Sequence, residues 1–541
     1  MKLRIAAAAL AFSCIGAAQQ AIPTTARVEG QVISIIGEPL SGASVQLQGA
    51  RTGQPGYTAQ TDLLGNFVIE NITPGLYTLS ASRTGFTTNP SAQSVSLSAG
   101  QARTGLAIQL FPLAGISGKV TDADALPMEK VKLTLYHRVY RGARWELEFS
   151  KEASTGSDGT FQLDGVPAGR YYLSAEDVSP PKESEPAASA ESNVTTYYPN
   201  ALDPTAALPI EVGAGQPLRL DIRMRKERAY HIRGKAINTV TGDPAKDFVV
   251  KIAPADRDAS VGLIPPKAGL VRKEDGSFEF DRLLPGRYVI STENARVHVV
   301  GQGAQPGVPL VARETVNLSD LDVEDLTLNL APPADITGTI RMEGVDPQPT
   351  LHVEILLMSL DGLRGDASHL APIKPDGTFL IPAVPPGAYE VNVNKMATGS
   401  YVRSMRFGGQ DLVNRILDNT SGAGGNLEIV LSPDVADVSG TVQSDSVDAV
   451  PRVWVTLWAP GIVRGVQSAA KGAFRFRDLP PGSYQIVAWE QVDSSLTSIP
   501  DFLARFENQA TSVTVGPKDH GTVQVQIVKR ESIEAEAAKF R

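Results

Sequence analysis

One cysteine, Cys14, is all that the 541 residues contain. No disulfide framework, cysteine-based metal site or thiol nucleophile can be built from it downstream. Histidine is scarce as well: His137, His231, His298, His352, His369 and His520 make up the set. None has Glu or His three or four places on, so the H-E-x-x-H and H-x-x-E patterns of zinc hydrolases are missing. There is no G-x-S-x-G elbow, and the run Gly422–Ala423–Gly424–Gly425 lacks the Lys-Ser/Thr of a phosphate loop. The chain therefore reads as no enzyme, with no cofactor and no metal. Past the N-terminus no apolar run is long enough to span a bilayer as a helix. A basic face is lacking too, at a net charge of −9, which argues against nucleic acid. The densest basic stretch has Arg219, Arg223 and Arg225 alternating with Leu220, Ile222 and Met224, the pattern of a strand with one wet face. Aromatic residues are only 6% and charged residues 20%, against 49 glycines and 38 prolines. Such a balance suits short strands and tight turns better than long helices.

At the N-terminus, Lys2 and Arg4 precede an apolar run from Ile5 to Ala18 that ends on Gly16, Ala17 and Ala18. A positive start, a short apolar stretch and small residues make residues 1–18 a secretory signal, so the chain is expected to be exported to the periplasm, cell surface or medium. Cys14 as a lipidated first residue is the alternative, but Ala11 stands where the bacterial lipobox usually has Leu.

What the chain does contain is one phrase written five times: GNFVIENITPGLYTL, GTFQLDGVPAGRYYL, GSFEFDRLLPGRYVI, GTFLIPAVPPGAYEV and GAFRFRDLPPGSYQI. Its phenylalanines are Phe67, Phe161, Phe278, Phe379 and Phe474. A spacing of roughly a hundred residues describes whole domains rather than solenoid units, which run at about 20–50. Each copy opens on a second phrase (VEGQV at 28–32, ISGKV at 116–120, IRGKA at 232–236, ITGTI at 336–340, VSGTV at 438–442) and closes on an alternating strand such as LAIQL at 106–110. Period-two alternation between turn signals predicts antiparallel sandwiches. Asp-Gly before Phe161, Phe278 and Phe379 predicts a hairpin turn with positive φ at both residues. The Phe and the residue two places on point inward, as does the Tyr after the Pro-Gly turn, whose hydroxyl is expected to bond a nearby backbone group as in tyrosine corners.

The G-x-V opening, the D-x-x-G-x-F run and the P-G-x-Y turn together resemble the carboxypeptidase regulatory-like domain. The resemblance implies a prealbumin-like, seven-stranded, all-β sandwich of the carbohydrate-binding-like fold group, and no established reaction. Copy 1 departs with Asp62–Leu63–Leu64–Gly65, and copy 5 has Lys471–Gly472 without the Asp. The expected organisation is a tandem array of five prealbumin-like/Ig-like antiparallel β-sandwich domains at 26–111, 115–225, 230–331, 335–432 and 436–528, with a tail at 529–541. Related sandwiches can hold an internal Lys–Asn isopeptide bond, but Lys119 and Lys235 fall between inward positions and should face water.

Three of the four tryptophans lie in the last copy. In PRVWVTLWAP, comparison with Val45 and Leu47 puts Val453, Val455 and Leu457 inside, which turns Trp454 and Trp458 outward, ~13 Å apart at about 3.3 Å per residue. Tyr484, Ile486 and Ala488 take inward places on a later strand, so Trp489 faces outward as well. Trp454, Trp458 and Trp489 are the ligand-binding candidates, as a flat platform for a polysaccharide or an envelope protein. The competing reading is that they bury against a neighbouring domain or the C-terminal extension. Inserts at 179–192, 301–309, 400–412 and 494–506 offer loops for binding, and the last two hold enough large side chains to fold against something. The tail could form a short helix with Ile533, Ala537 and Phe540 on one side. The functional expectation is a non-catalytic exported binding protein, with glycans as the first ligand class. The alternatives are a structural or adhesive spacer presenting loops to a protein partner, and an accessory subunit of an exported hydrolase or transporter.

Overall fold

A computed structural model describes residues 25–541 apart from 51–52, 89–92, 142–143, 180–190, 246–247, 256–266, 272–273, 295–308, 347, 350, 361–367, 397, 444–452, 538–539 and 541. The expected signal segment with Cys14 lies outside the described residues, as do nearly all of the 179–192 and 301–309 inserts. The chain divides into two compact units. The first runs to Gly115 and takes in Asp164–Ala168 and Gly213–Pro217; the second holds the remainder.

The first copy of the repeat shows the plan. Its strands are β1 (Ala26–Ser34), β2 (Ser44–Gly49), β3 (Tyr57–Gln60), β4 (Asn66–Ile72), β5 (Gly75–Ser82), β6 (Phe86–Thr88), β7 (Gln93–Leu97) and β8 (Ala102–Pro112). They form two four-stranded sheets, β4-β1-β8-β6 and β3-β2-β5-β7. Val28, Val45, Leu47, Phe67, Tyr77, Leu79 and Leu110 fill the space between them. Hydrophobic clusters of the same make-up occur within 230–330, 336–431 and 436–525. In the second copy Ile116, Val120, Leu133, Phe161, Leu163 and Leu173 are likewise buried. All-β sandwich architecture therefore runs along the described chain, as the alternation requires.

The pairing is not wholly antiparallel. The opening and closing strands of a copy run side by side in parallel: Gly30 beside Leu106, Gly234 beside Leu326, Gly338 beside Leu427 and Gly440 beside Val523. This register explains the shared opening glycine, for which the sequence had supplied no reason. A Cβ on Gly338 would lie 2.1 Å from Phe379 Cζ and 2.4 Å from the Leu427 carbonyl oxygen. At Gly440 both Phe474 Cζ and the Val523 oxygen would be met at 2.5 Å, and Gly30 and Gly234 are equally crowded. The tip of the repeated Phe ring lies over the repeated Gly. Each phrase needs the other.

The turn before the Phe differs from the hairpin expected of Asp-Gly. It joins strands of different sheets, as β3 to β4 does in the first copy, so it is an arch over the end of the core. Only the glycine takes positive φ in the Asp-Gly copies: Gly159 at 75°, Gly276 at 69° and Gly377 at 82°. The aspartate keeps negative φ and instead accepts the amide two residues on, Thr160 at 3.0 Å, Ser277 at 3.0 Å and Thr378 at 2.9 Å. The glycine carbonyl then accepts from the opening strand: Val120 N–H on Gly159 O and Ile340 N–H on Gly377 O, both at 2.8 Å. In copy 5, Lys471 and Gly472 both adopt positive φ, at 66° and 74°.

The bond expected of the tyrosine is seen at Tyr77, Tyr288, Tyr389 and Tyr484. The hydroxyls of Tyr77, Tyr288 and Tyr389 each donate to a carbonyl four residues back at 2.7 Å, on Thr73, Leu284 and Pro385. Tyr484 does the same to Pro480.

These turns titrate. The hydroxyl and then the amide of Thr160 hold the Asp158 carboxyl below its ordinary range, and Thr378 does the same for Asp376. A folded pKa below the unfolded one stabilises the fold above the ordinary value near 3.8 and is lost as pH falls through the depressed value. Thermal midpoints of the full chain should accordingly fall between about pH 4 and 2, and the Asp158→Asn/Asp376→Asn variant should fall less steeply over that window. An equal slope in variant and parent would mean that the turn carboxylates carry none of the acid sensitivity.

Candidate functional site

The fifth copy places its tryptophans on the face of strand Trp454–Ala459 turned away from its own core, as alternation demanded. Trp454 stands opposite Trp489 across the strand pair. What alternation did not show is that this face is covered. Trp489 is completely buried and Trp458 is 9% exposed, while Trp454 is partly buried. The expectation of a solvent-facing platform at Trp454, Trp458 and Trp489 is corrected accordingly. The covering segments are two the sequence had singled out for their apolar content.

One is the 494–506 insert, which folds as short helical turns including α1 (Pro500–Ala504) and buries Leu496, Ile499, Phe502, Leu503 and Phe506. The other is the tail, where α2 (Arg530–Ala537) buries Ile533 and Ala537. The rings meet closely. Trp489 packs on Phe506 edge-on at 4.9 Å and on Phe502 at 5.7 Å, and Phe502 meets Phe540 edge-on at 5.5 Å. Within the cluster the Trp489 indole N–H donates to Thr456 Oγ1 at 2.8 Å, which satisfies two fully buried polar groups at once. Trp454 lies over Gly465, the small residue that leaves room for its indole.

The cluster extends beyond the fifth copy. Trp145, 6% exposed, comes from the hairpin of Val131–Arg141 and Arg144–Ser154 in the second copy. It stacks on Phe540 at 6.5 Å and receives Tyr140 edge-on at 5.2 Å. The Arg138 guanidinium sits 3.9 Å from its ring centre, a cation–π contact. All four tryptophans of the chain thus enter one aromatic cluster made by the second copy, the fifth copy and the tail.

Polar contacts join other copies within the second unit. Arg282, in the third copy, donates to the carbonyls of Asp177 and Ser179 in the second, and Lys267 pairs with Glu176 at 2.7 Å. The Gly399 amide of the fourth copy donates to Asp478 of the fifth at 2.8 Å. The 400–412 insert is a strand rather than a loop: Tyr401–Phe407 pairs antiparallel with the closing strand Gly425–Ser432 and buries Met405. Lys119 is partly buried, and Lys235 is exposed as expected.

Ionisable groups gather on the third copy. Arg233 bridges Glu279 and Glu324 at 2.8 Å each, and His231 Nδ1 lies 3.1 Å from Glu279. Burial raises the Glu279 pKa, but Arg233 and His231 outweigh it and leave the carboxyl below its ordinary range. The charges are paired on an exposed strand face, which is the arrangement of a cross-strand ladder rather than of a reacting centre. Among the described residues no group of three or more His, Cys, Asp and Glu is placed to hold a metal ion. No described helix is long and apolar enough to cross a membrane.

With this geometry in view, the likeness to known proteins can be placed. Residues 27–111 and 437–528 match the carboxypeptidase regulatory-like domain family. The two matched segments are the copies without Asp before the turn glycine. No curated protein sequence matches the chain. Among solved structures, the chain is similar to the TIE protein of Bacillus anthracis, at 11% identity over 57% of this chain and 51% of that one, with a TM-score of 0.17. The chain thus spans about half the length of that protein. The minor pilin GBS52 of Streptococcus agalactiae is 14% identical over 37% of this chain and 96% of its own, with a TM-score of 0.23. The major pilin BcpA of Bacillus cereus is 10% identical over 57% and 99%, with a TM-score of 0.16. Likenesses this low bear on neither domain arrangement nor function.

Proposed function

We propose that the chain is an exported, non-catalytic structural and interaction protein of the cell envelope, built of five carboxypeptidase regulatory-like sandwiches that hold surfaces and loops out to partners. One observation carries this reading. The side chains best suited to bind a ligand in the fifth copy are consumed in a joint with the second copy and the tail. A chain that uses its scarce tryptophans as mortar between domains is organised for mechanical continuity. Export is supported by the charged, apolar and small-residue order of residues 1–18. Glycan binding remains the finer reading, and it has to come from a face other than Trp454, Trp458 and Trp489.

The joint can be opened without touching any sandwich core. Deleting 529–541, or changing Trp145→Ala, removes aromatic contacts between copies. Small-angle scattering of the full chain should then show a larger radius of gyration while the β signal in circular dichroism stays unchanged. An unaltered scattering profile in both variants would contradict the structural reading.

A further inference from the structure

Two adjoining loops of the first copy hold large aliphatic side chains out in solvent. One is the turn after β1, with Ile35 and Ile36; the other is the arch between β3 and β4, with Leu63 and Leu64. Ile36 is 76% exposed and Leu63 89%, and Ile35 and Leu64 are exposed as well. Both loops stand at one end of the sandwich. Val32 N–H donates to the Gly65 carbonyl at 2.8 Å, and a Cβ on Gly65 would lie 3.2 Å from Pro39. Single exposed aliphatic residues are ordinary on a protein surface, whereas a group of them marks an interaction site. At the same arch position the other copies hold Ser157–Asp158, Glu274–Asp275, Pro375–Asp376 and Ala470–Lys471. Two large aliphatic residues there are a property of the first copy alone.

Much of the backbone beneath these side chains is hydrogen-bonded within the protein. Ile35 N–H donates to the Leu110 carbonyl at 3.1 Å, and the Gln109 side-chain amide donates to the Ile35 carbonyl at 3.3 Å. Gly37 N–H returns to the Ser34 carbonyl at 2.9 Å. In the arch, Asp62 Oδ1 accepts the Leu64 amide at 2.9 Å, and the Gln31 side chain donates to the Leu64 carbonyl at 2.8 Å. Gly65 N–H returns to the Asp62 carbonyl at 3.0 Å. On an exposed loop water would satisfy these groups unaided. Two glutamines aimed at the carbonyls of Ile35 and Leu64 suit a loop that leaves water for a medium without hydrogen bonds. The first copy is also electrically balanced. Residues 26–112 hold four arginines against three glutamates and one aspartate, in a chain of net charge −9.

We propose that this end of the first copy inserts into the surface of a lipid bilayer. The inference rests on the envelope-interaction reading above and names one partner for it. Ile35, Ile36, Leu63 and Leu64 carry no directional group, and they sit on convex turns rather than around a groove. A protein partner could offer donors to the loop carbonyls, whereas hydrocarbon offers none, and the internal bonds of Ile35 and Leu64 provide for that case. At an interfacial depth of about 5–10 Å the aliphatic side chains reach the acyl boundary, while Glu38 and Asp62 at the feet of the loops stay among hydrated headgroups. With no net charge on the copy, the attraction is apolar, needs no anionic lipid and is little affected by salt.

The test is co-sedimentation with sucrose-loaded vesicles of phosphatidylcholine and phosphatidylethanolamine, at low and at high salt. The protein is taken from residue 19 on, as export would leave it, because the apolar run 5–18 would bind lipid by itself. A bound fraction that salt does not reduce is expected. Ile36→Asp/Leu63→Asp should lower the partition coefficient tenfold or more at an unchanged thermal midpoint. Leu321→Asp, at a leucine 72% exposed in the third copy, should leave it unaltered. No association with these vesicles, or association that the double variant preserves, would overturn the proposal. So would binding confined to vesicles with added phosphatidylglycerol and abolished by high salt. A dimer in analytical ultracentrifugation that the double variant dissociates, with no vesicle bound, would make a second copy the occupant and equally overturn it. Scattering of the same samples reports the inter-copy joint separately, so failure here is distinguishable from failure of the structural reading.

Discussion

Trp489→Ala should destabilise the fifth copy by about 3–5 kcal/mol, the cost of emptying a large aromatic site in a core. The indole is fully buried on the outer side of its sheet, not within the sandwich. Its removal strips Phe502 and Phe506 of their ring contacts and deprives the buried Thr456 hydroxyl of its donor. An unsatisfied buried hydroxyl adds about 1–3 kcal/mol where the site cannot admit water. Thermal unfolding followed by fluorescence of the remaining tryptophans reads the change, because all of them lie in this cluster. Trp489→Phe should lose much less, since it keeps most of the apolar volume. A platform residue would behave in the opposite way, with ligand affinity lost and stability kept.

Phe379→Ala should cost the fourth copy a similar amount, about 3–5 kcal/mol. The ring is 3% exposed and its tip lies over Gly338, against Ile336, Ile381 and Tyr389 in one cluster. The pair can be separated by a mutant cycle. Gly338→Ala alone drives a methyl into both the Phe379 ring and the Leu427 carbonyl oxygen, an overpacking cost of about 1–3 kcal/mol or more. In the double variant the ring clash is gone and the carbonyl clash stays, so the combined loss should be clearly less than additive. Several unfolding transitions are expected for a multi-domain chain, so the comparison is made on the isolated shift of one transition. A strictly additive result would mean that the Phe does not rest on the Gly.

The contrast between these two sites shows how far the sequence could be read. The inward Phe, Leu and Tyr of each phrase follow from strand alternation alone, a local property that survives into the fold. Phe379, Tyr389 and Val391 are buried where that rule put them. The same rule correctly turned Trp454, Trp458 and Trp489 away from their own core. It is silent on what lies above a sheet face, because the cover comes from Phe502 nearby, Phe540 at the tail and Trp145 hundreds of residues earlier. The apolar content of 494–506 and the one-sided tail were the available signals, and both segments are now seen to be the cover. The opening glycine escaped a sequence reading for a related reason. Its need arises from a parallel neighbour, Leu427 beside Gly338, whose position depends on the closed sandwich. The Asp-Gly arch is not legible in the sequence, because a turn signal does not say whether the strands it joins share a sheet.

Quenching of tryptophan fluorescence by iodide in the intact chain tests most directly whether the aromatic residues join copies together. Trp145, Trp458 and Trp489 sit at 6%, 9% and 0% exposure, so emission should be strongly shielded and become accessible only on unfolding or on loss of residues 529–541. Quenching of the native chain at a rate near that of free indole would show the rings standing in solvent, and the joint would not exist.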